Sequence, residues 1–298
     1  MPAGATIALC APALPVNPAR LARGLDRLRQ RFDVRLDAGM FAASGFLAGS
    51  DERRADELNR WLRDPDVRAI VMARGGYGLT RILDRLDADA LRRDPKLIVG
   101  FSDGTGLLAW AERAGVRGIH GPVGQQLGEL PDADQAWLFE LMARRDPAGP
   151  LDWSLAPIGA PGHGVVEGRL AGGNLTMLAH LIGTPWQVEL AGAIVLIEEV
   201  GERPYAVDRD LTQLGNAGAW TGVAAALVGD LTRCGATPDS EDGLALAAVD
   251  ERLARWGVSA LQGAPVGHGE RNVALPFGAS CALDFAARRL HLLEAAVA

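Results

Sequence analysis

The chain has 298 residues, enough for about two domains, and its hydrophobic content of 48% can supply a sizeable core. A net charge of −7 argues against nucleic acid or an anionic membrane surface as the main partner. No uninterrupted apolar run approaches the roughly 20 residues of a membrane span. The first apolar run has no basic residue before it and is broken by Pro12, so we expect a first strand rather than a signal peptide. The three cysteines lack metal-type spacing and fit a reduced, cytoplasmic setting.

In chain order, the first half alternates short apolar runs, typical of buried strands, with amphipathic helical patterns. Strands are predicted at 5–12, 67–76 and 97–101. Helices are predicted at 18–32, 51–64, 79–91 and 105–115. This alternation indicates βαβ units and a parallel sheet, in an N-terminal domain at 1–130.

Pro and Gly recur in residues 131–165, which we interpret as a linker around a short helix. Beyond it, strands are predicted at 165–173, 193–201, 224–234 and within 274–294. Helices are predicted at 208–218 and 243–257. We therefore expect a second, mixed α/β domain at 166–298.

The stretch Gly100–Gly104 has the sequence G-F-S-D-G and places Ser102 at the turn between a predicted strand and a predicted helix. At the carboxyl end of a parallel strand, such a serine is held out of the sheet with its hydroxyl exposed. The backbone N–H of Asp103 can then help to bind an oxyanion. The alternative is that Ser102 or Asp103 only caps the following helix, because Ser and Asp are preferred capping residues.

A serine nucleophile needs a base, and the chain offers one lysine and five histidines. Lys96 precedes Ser102 on the same strand, roughly 20 Å away at the usual strand rise, which disfavours a Ser–Lys dyad. His268 is favoured because its two flanking glycines allow close backbone approach, and His120, also in a loop, is the second choice. The others lie in a helical pattern, an apolar run and the linker: His180, His291 and His163.

The base in turn needs an orienting acid, and one apolar strand ends with Glu198 and Glu199. Strand alternation places these two side chains on opposite faces. A carboxylate at the end of a buried strand is costly unless it is paired, and a charged imidazole would compensate that cost. The alternative, for Glu199 or Glu202, is a surface turn rich in acidic residues.

A glycine-rich loop, ARGGYGLTR at 73–81, follows the second predicted strand. It has features of a phosphate-binding nest, but it lacks the Lys-Ser/Thr of a P-loop and the full G-x-G-x-x-G spacing. Alternatively, this loop supplies a second backbone N–H to the oxyanion hole, from Gly75 or Gly76, and Arg74 binds a carboxylate of the substrate.

Taken together, these segments resemble the LD-carboxypeptidase family of serine peptidases, which cleave the L,D-peptide bond before the terminal D-alanine of murein tetrapeptide. The resemblance runs in order over most of the chain. The motifs that carry it include IALCAPALPVNPARLARGL, VMARGGYGLTRILDRLD, KLIVGFSDGTGLLAW, HGPVGQQL, GRLAGGNLTMLAHLIGTPW, AIVLIEEVGERPY and PVGHGERNVALPFGA. Matched motif by motif, it implies a catalytic triad of Ser102, Glu198 and His268.

The same resemblance implies an oxyanion hole made by the backbone amides of Asp103 and Gly76, with Gly75 as the alternative. It implies an α/β fold, with a flavodoxin-like N-terminal domain that carries the serine on a parallel sheet. A smaller C-terminal mixed α/β domain would carry the glutamate and the histidine, with the active site between the domains. The chain departs from the family at Glu199, where Asp is usual, and at Gly104, where a larger residue is usual.

The family resemblance also implies a homodimer that needs no metal or cofactor. The expected substrate is murein tetrapeptide, either in muropeptides or in nucleotide-linked forms, and neither nucleic acid nor a membrane is an expected partner.

Three other functions share parts of these motifs. Some proteins similar to this family hydrolyse aminoacyl-nucleotide antibiotics of the microcin C type with the same triad, although the VGERPYAVDRDL segment favours the murein branch. An α/β-hydrolase esterase shares G-x-S-x-G and the order of the triad, but no HGGG-type motif precedes the serine. A non-catalytic nucleotide-binding module could use ARGGYG, but the P-loop residues are missing.

Overall fold

The computed structural model describes residues 1–237 and 243–297. The chain forms two compact units of nearly equal length, the first containing Met1–Arg145 and Ala274–Pro276, and the second Asp146–Val273 and Phe277–Ala295. The division after Arg145 falls inside the segment 131–165 that its Pro and Gly content marks as a linker.

The strands and helices alternate along most of the chain. The strands are β1 Thr6–Cys10, β2 Asp33–Leu36, β3 Ala69–Met72, β4 Leu97–Gly100, β5 Gly118–His120, β6 Gly149–Leu151, β7 Ala156–Gly159, β8 Val165–Asn174, β9 Ala193–Val200, β10 Ala225–Thr232, β11 Ser259–Gln262, β12 Leu275–Phe277, β13 Ser280–Asp284 and β14 Arg289–Leu292. The α-helices are α1 Pro18–Arg29, α2 Asp51–Arg63, α3 Ala88–Arg93, α4 Gly104–Arg113, α5 Gly124–Leu127, α6 Asp132–Ala143, α7 Leu175–Leu181, α8 Pro204–Asn216 and α9 Gly243–Arg255. Short 3-10 helices span Ala38–Phe41, Leu79–Arg81 and Leu83–Arg85.

The first unit is built on a six-stranded sheet with the order β12-β5-β4-β3-β1-β2. The pairs β1–β2, β1–β3, β3–β4 and β4–β5 are all parallel. The order 2-1-3-4-5 is that of a flavodoxin-like doubly wound sheet, which confirms the predicted fold of the N-terminal domain. β3 and β4 are buried along their whole length, as the continuous apolar runs of their sequences predict.

The helices of this unit begin where the sequence provides caps. The side chain of Asn17 accepts a hydrogen bond from the Ala19 N–H at 3.0 Å, just before the proline that opens α1. The Ser50 hydroxyl accepts one from the Arg53 N–H at 3.2 Å at the start of α2.

The continuous helix predicted at 79–91 is wrong. Two 3-10 turns and the short helix α3 replace it, because the chain becomes extended at Leu86 and a new helix is capped by Asp87. The Asp87 carboxylate accepts from the Ala90 N–H at 2.9 Å. The Asn59 side chain of α2 holds the break open by binding Arg85 O and the Asp87 N–H, both at 2.8 Å.

The second unit contains an eight-stranded mixed sheet with the order β6-β14-β13-β8-β9-β10-β11-β7. β8, β9, β10 and β11 are parallel neighbours, and the strands on either side of them are antiparallel. The mixed α/β prediction for this part of the chain is therefore confirmed. Within the described residues, no helix is long and apolar enough to cross a membrane.

Candidate active site

Ser102 lies between the end of β4 and the start of α4, and its backbone φ is 61°, in the left-handed region. A residue with a side chain adopts this region at a cost of roughly 1–2 kcal/mol, and such strain is common where a side chain must be presented from a sharp turn. Within the part of the chain that the structure describes, the side chain of Asp103, the N-cap residue of α4, makes no capping hydrogen bond. The turn therefore has the geometry of a strand-to-helix elbow rather than that of a conventional capping turn.

The side chain of Asp103 ties this elbow to the neighbouring glycine-rich loop. Its Oδ2 atom accepts a hydrogen bond from the Leu79 N–H at 2.9 Å, and the carboxyl is almost completely buried. Burial raises the pKa of Asp103 to about 6, and the hydrogen bond from Leu79 and the charge of Arg54 oppose that rise. The hydrogen bond between Leu79 and Asp103 thus joins the loop that follows β3 to the loop that follows β4, next to Ser102.

Gly75 of the same loop packs directly against Ser102. A Cβ atom on Gly75 would lie 3.0 Å from the serine Cβ and 3.2 Å from its Oγ, so a side chain here would force Ser102 or the loop to shift. Gly76 has a φ of +117°, and a Cβ there would lie 2.3 Å from Cγ of Leu14. Gly75 thus lets the loop lie close to the serine, and the positive φ of Gly76 favours glycine at the next position.

Two arginines hold the glycine-rich loop in place. The fully buried Arg54 of α2 donates to the backbone oxygen of Gly78 at 2.8 Å and to that of Pro12. Arg74, which is half-buried, donates through Nη1 to the backbone oxygen of Pro15 at 2.6 Å. Arg54 had no motif to mark it in the sequence, because it appears there as one of several charges on an amphipathic helix.

In the second unit, Nδ1 of His268 lies 2.7 Å from Oε2 of Glu198. The Glu198 side chain is 0% exposed and that of His268 is 18% exposed. The other carboxylate oxygen, Oε1, is buried and has no hydrogen-bond partner among the described residues. Because a buried carboxylate is costly without compensation, the imidazole is the partner that makes this carboxylate tolerable on β9.

The two glycines beside His268 are required by close contacts on either side. A Cβ on Gly267, whose φ is +130°, would lie 2.9 Å from Oε2 of Glu198. A Cβ on Gly269 would lie 2.3 Å from Oδ2 of Asp230. The buried Asn272 side chain accepts from the Gly267 N–H at 3.1 Å and secures the loop.

Glu199 points to the opposite face of β9 and has a different role. Its oxygens accept hydrogen bonds from Asn174 Nδ2 at 2.9 Å, from the Thr176 N–H at 2.7 Å and from the Val200 N–H at 2.8 Å. Burial raises the pKa of Glu199, and these bonds oppose the rise. Glu199 therefore anchors the start of α7 rather than lying in an acidic surface turn.

The remaining histidines have other surroundings. His120 is fully buried at the end of β5, and its ring meets that of Phe101 edge-on at 5.9 Å between centroids. His163 and His180 are exposed, and His291 lies on β14 opposite Ala282. The carboxylate partner that a catalytic imidazole requires is found at His268, the first choice from the sequence.

Two family models match this chain, one over the part that contains Ser102 and the other over the part that contains Glu198 and His268. Residues 7–121 match the LD-carboxypeptidase N-terminal domain, and residues 167–283 match the LD-carboxypeptidase C-terminal domain. The chain belongs to the LD-carboxypeptidase family.

Two relatives can be aligned with nearly the whole of this chain. The murein tetrapeptide carboxypeptidase of Pseudomonas aeruginosa is 34% identical, over 95% of this chain and 94% of the relative. A Bacillus subtilis protein named "Probable murein peptide carboxypeptidase" is 33% identical, over 99% of this chain and 93% of the relative.

Solved structures share the fold. The muramoyltetrapeptide carboxypeptidase from Oxalobacter formigenes superposes with a TM-score of 0.80 at 29% identity, covering 96% of this chain and 97% of that one. The microcin C7 self-immunity protein MccF in its wild-type apo state has a TM-score of 0.88 at 24% identity, covering 100% of this chain and 98% of that one. At 24% identity, the likeness to MccF supports a shared fold but not a shared function.

The structure also explains the departure of this LD-carboxypeptidase at Gly104. A Cβ on Gly104 would lie 2.8 Å from Sδ of Met72, and one on Gly100 would lie 2.6 Å from the same sulfur. The Met72 side chain thus fills the space beside the elbow that a larger residue at position 104 would need.

Asp230 on β10 is a further acidic residue next to His268 that the sequence did not mark. Burial raises its pKa to about 6, opposed by a hydrogen bond from the Gly269 backbone. The nearby Glu198 carboxylate raises this pKa further, whereas His268 lowers it. Its placement depends on an irregularity in the pairing of β9 with β10, which strand alternation alone does not predict.

Proposed function

We propose that this protein is a serine-type LD-carboxypeptidase that hydrolyses the L,D-peptide bond releasing the terminal D-alanine from murein tetrapeptide. The observation that carries the proposal is the 2.7 Å contact between His268 and the buried Glu198, in a chain of this family. A carboxylate-bound imidazole is the base that a serine nucleophile needs.

In the proposed reaction, the Ser102 hydroxyl attacks the scissile carbonyl and gives its proton to His268. Glu198 binds Nδ1 of the ring, so Nε2 is the atom that takes the proton. The carboxylate also stabilises the imidazolium that forms. The returned proton protonates the departing D-alanine amine, and water then hydrolyses the acyl-enzyme by the same base.

The proposed oxyanion hole uses the backbone N–H groups of Asp103 and Gly76, with Gly75 as the alternative donor. The contact between Gly75 and the Ser102 side chain supports a role for this loop, because the donors must lie within hydrogen-bond range of the reacting carbonyl. Arg74 is proposed to bind the terminal carboxylate of the substrate. Its bond to Pro15 O occupies one nitrogen and leaves the rest of the guanidinium for that contact.

We further propose a cytoplasmic homodimer that acts on murein tetrapeptide in muropeptides or in nucleotide-linked precursors. The chain's three cysteines are buried thiols, which fits a reducing compartment. The proposed steps use protein groups and water and call for no metal or cofactor.

The second candidate is hydrolysis of aminoacyl-nucleotides of the microcin C type by the same three residues. The sequence likeness to the microcin C7 self-immunity protein MccF of Escherichia coli, 26% identical over 95% of this chain and 91% of the relative, favours it. The two candidates differ in the pocket that receives the substrate rather than in the chemistry at the serine.

The test is mass-spectrometric detection of D-alanine released from defined muropeptides, run in parallel with an aminoacyl-sulfamoyl adenylate. We expect D-alanine release by the native protein and a loss of several orders of magnitude in Ser102→Ala. Ser154→Ala, on an exposed serine of the second unit, is the matched control and should keep full activity. Near-normal tetrapeptide cleavage by Ser102→Ala would refute the mechanism, and cleavage of the adenylate alone would favour the second candidate.

A further inference from the structure

β9 and β10 do not pair regularly beside the proposed base. Val228 lies opposite Ile197 and Leu231 lies opposite Glu199, so that two residues of β10 stand opposite Glu198 alone. Those two residues are Gly229 and Asp230. A β-bulge of this kind redirects a side chain that regular alternation would send to the other face.

The bulge joins β10 to the His268 loop. The backbone N–H of Asp230 donates to Val266 O at 2.9 Å instead of continuing the ladder. Gly229 permits this approach, because a Cβ there would lie 2.4 Å from Val266 O and 3.4 Å from the Cβ of Glu198. The irregularity is therefore built around the segment that leads into His268.

The Asp230 carboxylate contacts the residue that follows the histidine. A hydrogen bond from the Gly269 backbone lowers the pKa of Asp230 and so opposes the effect of its burial. The room for this contact exists only because position 269 has no side chain, since a Cβ would come within 2.3 Å of Oδ2. Asp230 thus holds the backbone on one side of His268, while the Gly267 N–H is bound by Asn272 on the other.

Asp230 acts in the same electrostatic environment as the base. The charged groups that act on it are Glu198 of β9 and His268 of the loop. Glu270 and Arg271, the next residues of that loop, are exposed. Because His268 lowers the pKa of Asp230, the charge of Asp230 must act on the imidazole in return.

We infer that Asp230 is a second positioning carboxylate for His268, which holds the loop backbone through Gly269 and favours the charged imidazole. As a role in catalysis, this rests on the proposed function. The coupling of Asp230 to His268 can be measured without any substrate.

The decisive experiment is an NMR titration of the His268 ring in the native protein and in Asp230→Asn, with His268→Gln used to assign the signal. Asn keeps an oxygen that can accept from Gly269 but removes the charge. We expect the titration midpoint of the His268 ring to move to lower pH in Asp230→Asn, because the charge that acts on the ring is removed. The matched control is Asp284→Asn, because the Asp284 carboxylate also accepts backbone N–H bonds, from Ala286 and Ala287 at 2.9 and 2.8 Å.

A fall of at least about 0.3 unit, absent from the control, supports the inference, and a smaller or opposite change overturns it. Gly269→Ala provides a second variant if Asp230→Asn does not fold, because its methyl group displaces the same carboxylate. The same direction of change is expected there. If the native protein releases no D-alanine, the proposed function fails while the titration still decides the role of Asp230.

With activity established, the acid limb of the kcat/KM profile should move to lower pH in Asp230→Asn, because a less basic imidazole stays unprotonated to lower pH. Asp230→Ala, which also loses the acceptor for Gly269, should lower kcat by about tenfold more than Asp230→Asn with little change in KM. Equal kcat in the two variants, or an unmoved acid limb, would count against positioning.

Discussion

The buried Glu198 carboxylate and the ring of His268 meet at 2.7 Å although 70 residues separate them in the chain. The contact joins the end of a central strand to a loop that has room for it only because Gly267 has no side chain. The neighbouring Glu199, on the other face of the strand, binds backbone and Asn174 instead. The two adjacent glutamates therefore have different partners, and their roles can be tested separately.

Glu198→Gln should reduce kcat by about a hundredfold or more, because a neutral amide neither stabilises the imidazolium nor selects the required tautomer. Steady-state kinetics with tetrapeptide and circular dichroism would measure this. Glu199→Gln is the matched control. It should lower the free energy of unfolding by about 1–3 kcal/mol, since an amide NH2 then faces backbone donors, and it should affect kcat less than Glu198→Gln.

Gly75→Ala should reduce activity by about tenfold or more without unfolding the protein. The added methyl group would lie 3.0 Å from Cβ and 3.2 Å from Oγ of Ser102, so the serine or the loop must move. Gly243→Ala is a suitable control, because a Cβ there meets no atom of the described residues within 4 Å. Unchanged kcat/KM in Gly75→Ala would contradict a close functional relation between the loop and the serine.

Gly104→Ala should lower the free energy of unfolding by about 1–3 kcal/mol, because its methyl group would overlap Met72 Sδ, 2.8 Å away. Met72→Ala alone should also destabilise, by leaving a cavity. The double variant, with Gly104→Ala and Met72→Ala together, should lose less stability than the sum of the two single losses. The methyl group added at position 104 then occupies part of the space that the Met72 side chain leaves. Strict additivity in urea unfolding would show that Met72 does not restrict position 104.

Glu57→Gln should flatten the dependence of stability on pH. Burial raises the pKa of Glu57 from 4.5 to about 7, although Arg53 and the Ala11 N–H oppose the rise. The folded state therefore keeps this proton to higher pH than the unfolded chain. The stability contributed by this group is present below 4.5 and is lost as pH rises through about 7.

Between pH 5.5 and 8, this group should make the native protein lose on the order of 2 kcal/mol that Glu57→Gln does not lose. Chemical denaturation at several pH values measures the difference. Asp56→Asn, on the exposed neighbour in the same helix, should keep the native slope. An identical slope in Glu57→Gln would show that Glu57 is ionised throughout this range.

Several features could be predicted from local patterns. Continuous apolar runs marked β3 and β4 as buried strands, and the change from strand to helix placed Ser102 at the turn between them. Alternation along β9 assigned Glu198 and Glu199 to opposite faces, and the structure confirms it. Each of these depends on residues within a few positions of one another.

Other features escaped prediction because their causes lie far away in sequence. The helix predicted at 79–91 is interrupted by Asn59, which belongs to α2. Arg54 stabilises the glycine-rich loop from that same helix through Gly78 O. No pattern around residue 79 or 54 contains these contacts.

The sequence by itself determined most of the strands and helices and the residue types available for the proposed chemistry, because hydrophobic period and capping act over one or two turns. The short strands β2, β5, β6, β7 and β11 were not predicted. Only the tertiary structure decided which acid meets His268 and that Asp230 joins it. A bulge between two strands and the missing side chains of Gly267 and Gly269 decide those contacts. They depend on backbone approach between distant segments, which residue order specifies only through the packing of the whole sheet.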